Sequence, residues 1–225
     1  MKKLIFLFTL LLLPTCVFAH GISEHAKQSL INGGLFDYAV QGAEHMLTGY
    51  DHLLFLFGVI FFLTSFKQIV KFISAFTIGH CITLIFATFA GITANHYLVD
   101  AIIALTVCYK GFDNNKGFQK YFGMKASPNL LFMVFAFGLI HGFGLSTRLQ
   151  QLPLGEKGSA MLAKILSFNI GVELGQIAAL AIMLLVMTEV RKLKAFTKIS
   201  KILNNGLILA GLLLFIMQIN GYINH

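Results

Sequence analysis

The chain has 225 residues, of which 57% are hydrophobic and only 12% charged, and its mean hydropathy is +0.80. A soluble domain carries about 25% charged residues, so this composition excludes an ordinary soluble globule and reads as an all-α integral membrane protein. The net charge of +8 does not call for nucleic acid as a partner, because lysines in cytoplasmic loops account for it.

The first segment, "MKKLIFLFTLLLLPTCVFAH", has a basic start at Lys2 and Lys3, an apolar core, and small Ala19 two places after Val17. This is the layout of a secretory signal peptide over residues 1–19; the alternative is a retained first membrane helix. Cys16 would leave with the signal, and Thr15 is a poor neighbour for a lipidated cysteine. Cys81 and Cys108 then remain, each in an apolar run and without a CxxC partner, and read as small hydrophobes. Residues 20–44 read as an extracytoplasmic tail ahead of a transmembrane domain over 45–225. In that tail a new N-terminal His20, with His25 nearby, has the amine and imidazole to capture Cu(II) or Ni(II) outside the membrane; a plain solvated tail is the simpler reading.

A helix needs about 20 mostly apolar residues to cross a bilayer. Six such runs follow, at 46–64, 69–91, 97–112, 130–147, 161–187 and 203–222, the third being short. With the signal removed, six crossings return both termini to the outside. The cytoplasmic side then receives Lys67 and Lys71, Lys110 to Lys125, and Arg191 to Lys201, which is eleven of the fifteen lysines and arginines beyond residue 19. Lys27, Arg148, Lys157 and Lys164 stay outside. This agrees with the excess of positive charge on cytoplasmic loops and reads as a multi-pass plasma-membrane protein with both termini outside.

An ionisable group at bilayer depth costs about 2.5–3.5 kcal/mol even on lenient scales, so it persists where it pairs, binds or lines a wet cavity. The candidates are His45, Asp51, His52, His80, Asp100, His141 and Glu173. In "HMLTGYDH", His45 and His52 are seven apart, which on one helix sets them two turns apart on one face, with Gly49 between them able to admit another helix. The second run carries Thr77, His80 and Thr83, and the fourth reads "FGLIHGFG" around His141. In "SFNIGVELGQ", Asn169, Glu173 and Gln176 form one polar stripe. The topology lets these groups converge in the outer half of the membrane. Imidazole and carboxylate suit Ni, Zn, Co or Cu, and Asp100, Asn169 and Gln176 are supporting polar groups. A lone intramembrane histidine is as often a helix–helix hydrogen bond, and the Asn169 and Gln176 stripe reads more simply as packing.

At these residues the sequence resembles the HupE/UreJ family of bacterial membrane proteins, in its second branch. The family's His-x5-Asp-His signature stands here as His45, Asp51 and His52, and "GYDHLLFLFGVIFF", "FTIGHCITL", "GLIHGFG" and "FNIGVELGQ" are also similar. The resemblance implies six helices after a cleaved signal, a permease of nickel or sometimes cobalt, and a link to hydrogenase or urease maturation. The family's second signature, Phe-His-Gly-x-Ala-His-Gly-x-Glu, survives only as His141 and Gly142. Phe137 stands at its first histidine and Gly144 at its glutamate.

The leading function is therefore a permease for a divalent transition metal, with His45, Asp51, His52, His80, His141 and Glu173 as its site. No Walker-type loop is present to hydrolyse ATP. The alternative is an intramembrane metal-dependent hydrolase acting on a lipid or membrane peptide, with Asp51 or Glu173 as base, although HExxH is absent. A non-transporting assembly or sensor subunit ranks last, since the loops are short. The inner half of the bundle looks poor in polar residues, with mainly Gln176 and Thr106 below Glu173, which speaks against a through path.

Overall fold

The computed structural model describes residues 30–31, 33–150, 152, 154–155 and 157–224. The expected signal peptide, His20 and His25 lie outside these residues. Among the described residues, eight helices follow in order: α1 (Leu35–Thr48), α2 (Tyr50–Ile60), α3 (Phe66–Ala90), α4 (His96–Asn114), α5 (Gly117–Phe122), α6 (Leu130–Leu149), α7 (Ser159–Arg191) and α8 (Phe196–Asn224).

The helix ends follow from local sequence. Ser65 caps α3 by accepting from Gln68 N, while Gln68 Oε1 accepts from Thr64 N at 2.8 Å. Gly91, with φ of 68°, ends α3 in the left-handed conformation that glycine adopts freely. Asn95 and Asn129 accept the first free amides of α4 and α6, from Leu98 and Phe132.

Four helices, α3, α6, α7 and α8, are long and apolar enough to cross a membrane. Of the six runs read from the sequence, the first and third fall short of that standard. The first is interrupted at Gly49, so that α2 alone has 11 residues. The third, α4, has 19 residues but carries Asp100, Lys110 and Asp113. Helix also begins at Leu35, so residues 35–44, read as tail, are folded against α7. Ile78, Ile82 and Phe86 of α3 and Ile170, Leu174 and Leu185 of α7 face outward. Such an apolar exterior is suited to lipid and adverse in water.

Packing is built on three close helix pairs. Within each, glycine lets backbones touch. A Cβ at Gly171 would strike the carbonyl of Ala39, and one at Gly42 that of Phe168, so α1 and α7 run side by side in parallel. Gly79 and Gly138 do the same between α3 and α6, also parallel. Gly111 against Asn204 and Gly211 against Ala104 make α4 and α8 antiparallel. Without a hydrophobic force between helices in lipid, close approach of this kind supplies the dispersion energy of association. One end of the bundle joins the α3–α4 turn to α6, through Ala94 N to Thr147 Oγ1 at 3.0 Å. At the far end, Arg191 Nη2 donates to the carbonyls of Ile60 at 2.8 Å and Leu63 at 2.7 Å, closing the last turn of α2.

Gly171→Leu should lower the thermal midpoint in detergent, by about 2 kcal/mol or more of stability, because the Ala39 backbone cannot yield. Gly206→Ala, where a Cβ meets nothing, should leave it unchanged or raise it.

Candidate metal site

The site begins where the first apolar run breaks. Gly49 ends α1 and starts α2 in an extended conformation, φ −72° and ψ 102°. In an unbroken helix His45 and His52 would lie about 10 Å apart along the axis. With the break, their ring centroids are 5.1 Å apart, in an edge-to-face arrangement. The expectation of one helical face is thus corrected, while the meeting of the two histidines holds for a different reason. Gly49 admits no neighbouring helix either. A Cβ there would lie 2.5 Å from His52 Nδ1 and 3.2 Å from Asp51 Oδ1, so glycine makes room for the site's own side chains.

His52 in turn meets His141 of α6, with centroids again 5.1 Å apart. His52 is therefore shared by two imidazole pairs. His45 is half-buried, and His52 and His141 are 9% and 1% exposed, so the three descend into the bundle.

The tautomers can be read from the partners. Asp51 Oδ1 takes the backbone N–H of His52 and its Nδ1–H, each at 2.9 Å. His80 Nδ1 is 2.7 Å from Asn169 Oδ1, and Asn169 Nδ2 donates to the Ile165 carbonyl at 3.0 Å, which fixes the amide's orientation. His141 Nδ1 is 2.8 Å from the Phe137 carbonyl. Each acceptor is an oxygen that cannot donate, so all three rings hold their proton on Nδ1 and leave Nε2 unprotonated. This is how metal-ligating histidines are commonly oriented. His141 Nε2 is buried with no hydrogen-bond partner, a state that costs about 1–3 kcal/mol unless something binds there.

The floor is aromatic. Phe55 touches His141, Phe76 and Phe137 at centroid distances of 5.7, 5.8 and 5.5 Å. Phe76 also stacks on His80 at 6.1 Å. In the sequence nothing but their type distinguishes Phe55 and Phe76 from the other apolar residues of their runs, and only their spacing from the histidines marks them. Phe137, at the position of the missing family histidine, belongs to this floor.

The remaining candidates are placed as follows. Gln176 Oε1 accepts from Thr77 Oγ1 at 3.4 Å, so with Asn169 it joins α7 to α3. Glu173 is half-buried on the same face, and Ser74 Oγ donates to its Oε1 at 3.2 Å. Glu173 lies one turn along α7 from Asn169, the residue that holds His80, and its carboxylate is turned to Ser74. Asp100 is buried on α4 beside Val99, which packs on Gly144 of α6.

Two imidazoles on one tetrahedral ion, bound at about 2.0–2.1 Å, set their centroids roughly 5 Å apart. Both pairs here meet that spacing. Among the described residues, no three His, Cys, Asp or Glu side chains form a single metal cage. The arrangement offers two adjoining pairs instead of one closed site. An ion held by few ligands can leave again, as conduction requires.

Gly49→Ala should weaken nickel binding about 10–100-fold in a competition titration, by driving His52 off Asp51, with the fold retained because Ala accepts this backbone conformation.

No curated protein and no solved structure matches the chain. The protein family described as "HupE / UreJ protein" matches over residues 22–225, well beyond the stretch that carries the His-x5-Asp-His motif. The chain belongs to the HupE/UreJ family.

Proposed function

We propose that this protein is a membrane permease for a divalent transition metal, nickel or cobalt in keeping with its family, which receives the ion at His45 and His52 and hands it to His52 and His141. The observation that carries the reading is the descending row of imidazoles, with a buried, unpartnered Nε2 at its inner end. His52 is common to both pairs, so an ion moves inward by exchanging His45 for His141 without losing its middle ligand. Asp51 keeps His52 in the tautomer that binds, and the first-turn carboxylate also offsets the positive end of α2 beside a cation. Broken helices that build ion sites at membrane depth are a recurring feature of secondary transporters. His80, held by Asn169, stands beside this row as a further ligand.

Six crossings fit the packing. Six alternating crossings of α1 with α2, α3, α4, α6, α7 and α8 are consistent with α1 parallel to α7, α3 parallel to α6 and α4 antiparallel to α8. The connections at the Arg191 end carry ten lysines and arginines from Lys67 to Lys201, even with buried Lys110 removed from the count. That end is then cytoplasmic, and both the histidine mouth and the C-terminus face outside. An inside-negative potential favours inward movement of a divalent ion by about 4.6 kcal/mol per 100 mV. The metal would serve hydrogenase or urease maturation, as the family's associations imply.

The intramembrane hydrolase remains the second reading, favoured by the closed aromatic floor, which makes the site one-sided in this conformation. Flux into proteoliposomes with a metal-sensitive dye, offered Ni, Co, Zn and Cu, separates the two. The permease predicts saturable flux that His52→Ala abolishes. Tight binding without flux would turn the search toward membrane substrates. His141→Leu should likewise abolish flux, while thermal stability holds or rises by about 1–3 kcal/mol, because a buried orphan nitrogen is removed.

A further inference from the structure

The far end of α2 holds a second buried polar cluster. Lys110 is 0% exposed, and its Nζ lies 3.0 Å from Asp113 Oδ2 and 4.1 Å from the centre of the Phe62 ring. Asp113 is 4% exposed. Asn114 Nδ2 donates to the Gly58 carbonyl at 2.9 Å and to Asn204 Oδ1 at 2.6 Å. Asn204 is fully buried, and its own Nδ2 is used by the Ser200 carbonyl at 2.8 Å. Three buried oxygens in consecutive turns of α4 are left without partners: Tyr109 Oη, Asp113 Oδ1 and Asn114 Oδ1.

This corrects the sequence expectation twice. Lys110 is not a loop residue but a buried member of α4, and the cytoplasmic half is not poor in polar groups.

A structural ion pair would be expected to satisfy both carboxylate oxygens, since a buried charge is tolerated only when it is paired and fully hydrogen-bonded. Here one oxygen of Asp113 and the amide oxygen of the next residue stay open. Open acceptors beside a removable cation are the elements of a cation site. The donors are all oxygen, in contrast to the imidazoles above. Oxygen donors hold nickel and cobalt less firmly than imidazole does, which suits release. From His52 to Gly58 is six residues of α2, about 9 Å. The Phe55 and Phe137 floor lies between, and Tyr109 touches Phe137 at 5.3 Å.

We propose that Lys110, Asp113, Asn114 and Asn204 form a release station for the divalent cation, in which the Lys110 ammonium is a tethered counter-ion that the arriving metal displaces from Asp113. The inference rests on the permease reading. When the metal binds, the Lys110 amine swings clear, and Asp113 and Asn114 ligate through the oxygens that now stand open. Return of Lys110 expels the ion to the cytoplasmic side and resets the pair. No bond is made or broken apart from coordination and hydrogen bonds.

The test is nickel flux and nickel binding by the full-length protein, in wild type and in Lys110→Met/Asp113→Leu. Replacing a buried ion pair by apolar groups of similar volume is often neutral or stabilising, so this variant keeps a fold that the pair merely props up. The station predicts flux reduced at least about tenfold with binding at the upper histidines unchanged. Wild-type flux in the double variant overturns the station and leaves the permease intact. Absence of flux in the wild type overturns the permease reading, and the station with it. Should the double variant fail to insert, Asp113→Asn, which keeps the shape and the contact with Lys110, is read by the same two measurements. Undiminished flux in that variant overturns the station equally.

Discussion

Everything at the histidine site depends on one interruption, at Gly49, between two apolar helices. In lipid an unsatisfied backbone amide or carbonyl costs several kcal/mol, so a break survives only inside protein or beside a wet cavity. Here the break at Gly49 is enclosed by α7 on one side, through the close contacts of Gly42, Gly171 and Gly175, and by α6 beyond His52. It brings the His45 and His52 rings to within 5.1 Å of each other. It also points the start of α2 at Asp51, whose carboxylate answers the helix dipole and holds the His52 ring.

The same logic repeats in the neighbouring rings. His52, His80 and His141 each spend Nδ1 on an oxygen supplied by a different kind of group, a carboxylate, an amide and a backbone carbonyl. Three unrelated partners produce one tautomer, with the proton on Nδ1 in every case. A packing role requires no such agreement, whereas ligand orientation does. The aromatic rings of Phe55, Phe76 and Phe137 close the space beneath the imidazoles, with Gln176 at their edge.

Much of this was legible in the sequence, though for mixed reasons. Charged and imidazole groups in apolar runs identified His45, Asp51, His52, His80 and His141, because their cost at bilayer depth demands an explanation. The geometry was not legible. A glycine within a helical pattern is read equally well as a packing surface or a break, and only the coordinates show that Gly49 is the latter. Asn169 was legible as a supporting polar group or as packing between helices, but not which histidine it meets, since its partner lies on another helix. It orients His80. The cluster around Lys110 and Asp113 was hidden because the third run ends in a mixture of lysine and asparagine that resembles a loop. The Lys110 and Asp113 spacing of three residues was its one local sign, and burial by α2 and α8 is a tertiary property.

The central claim is that the break makes His52 the shared ligand of two imidazole pairs. Nickel-edge X-ray absorption of the purified protein tests it most directly, because it counts imidazole nitrogens on the bound ion. The account predicts at least two imidazoles in the wild type and no more than one in His52→Ala, since neither His45 nor His141 then has its pair. An unchanged imidazole count in His52→Ala would contradict it.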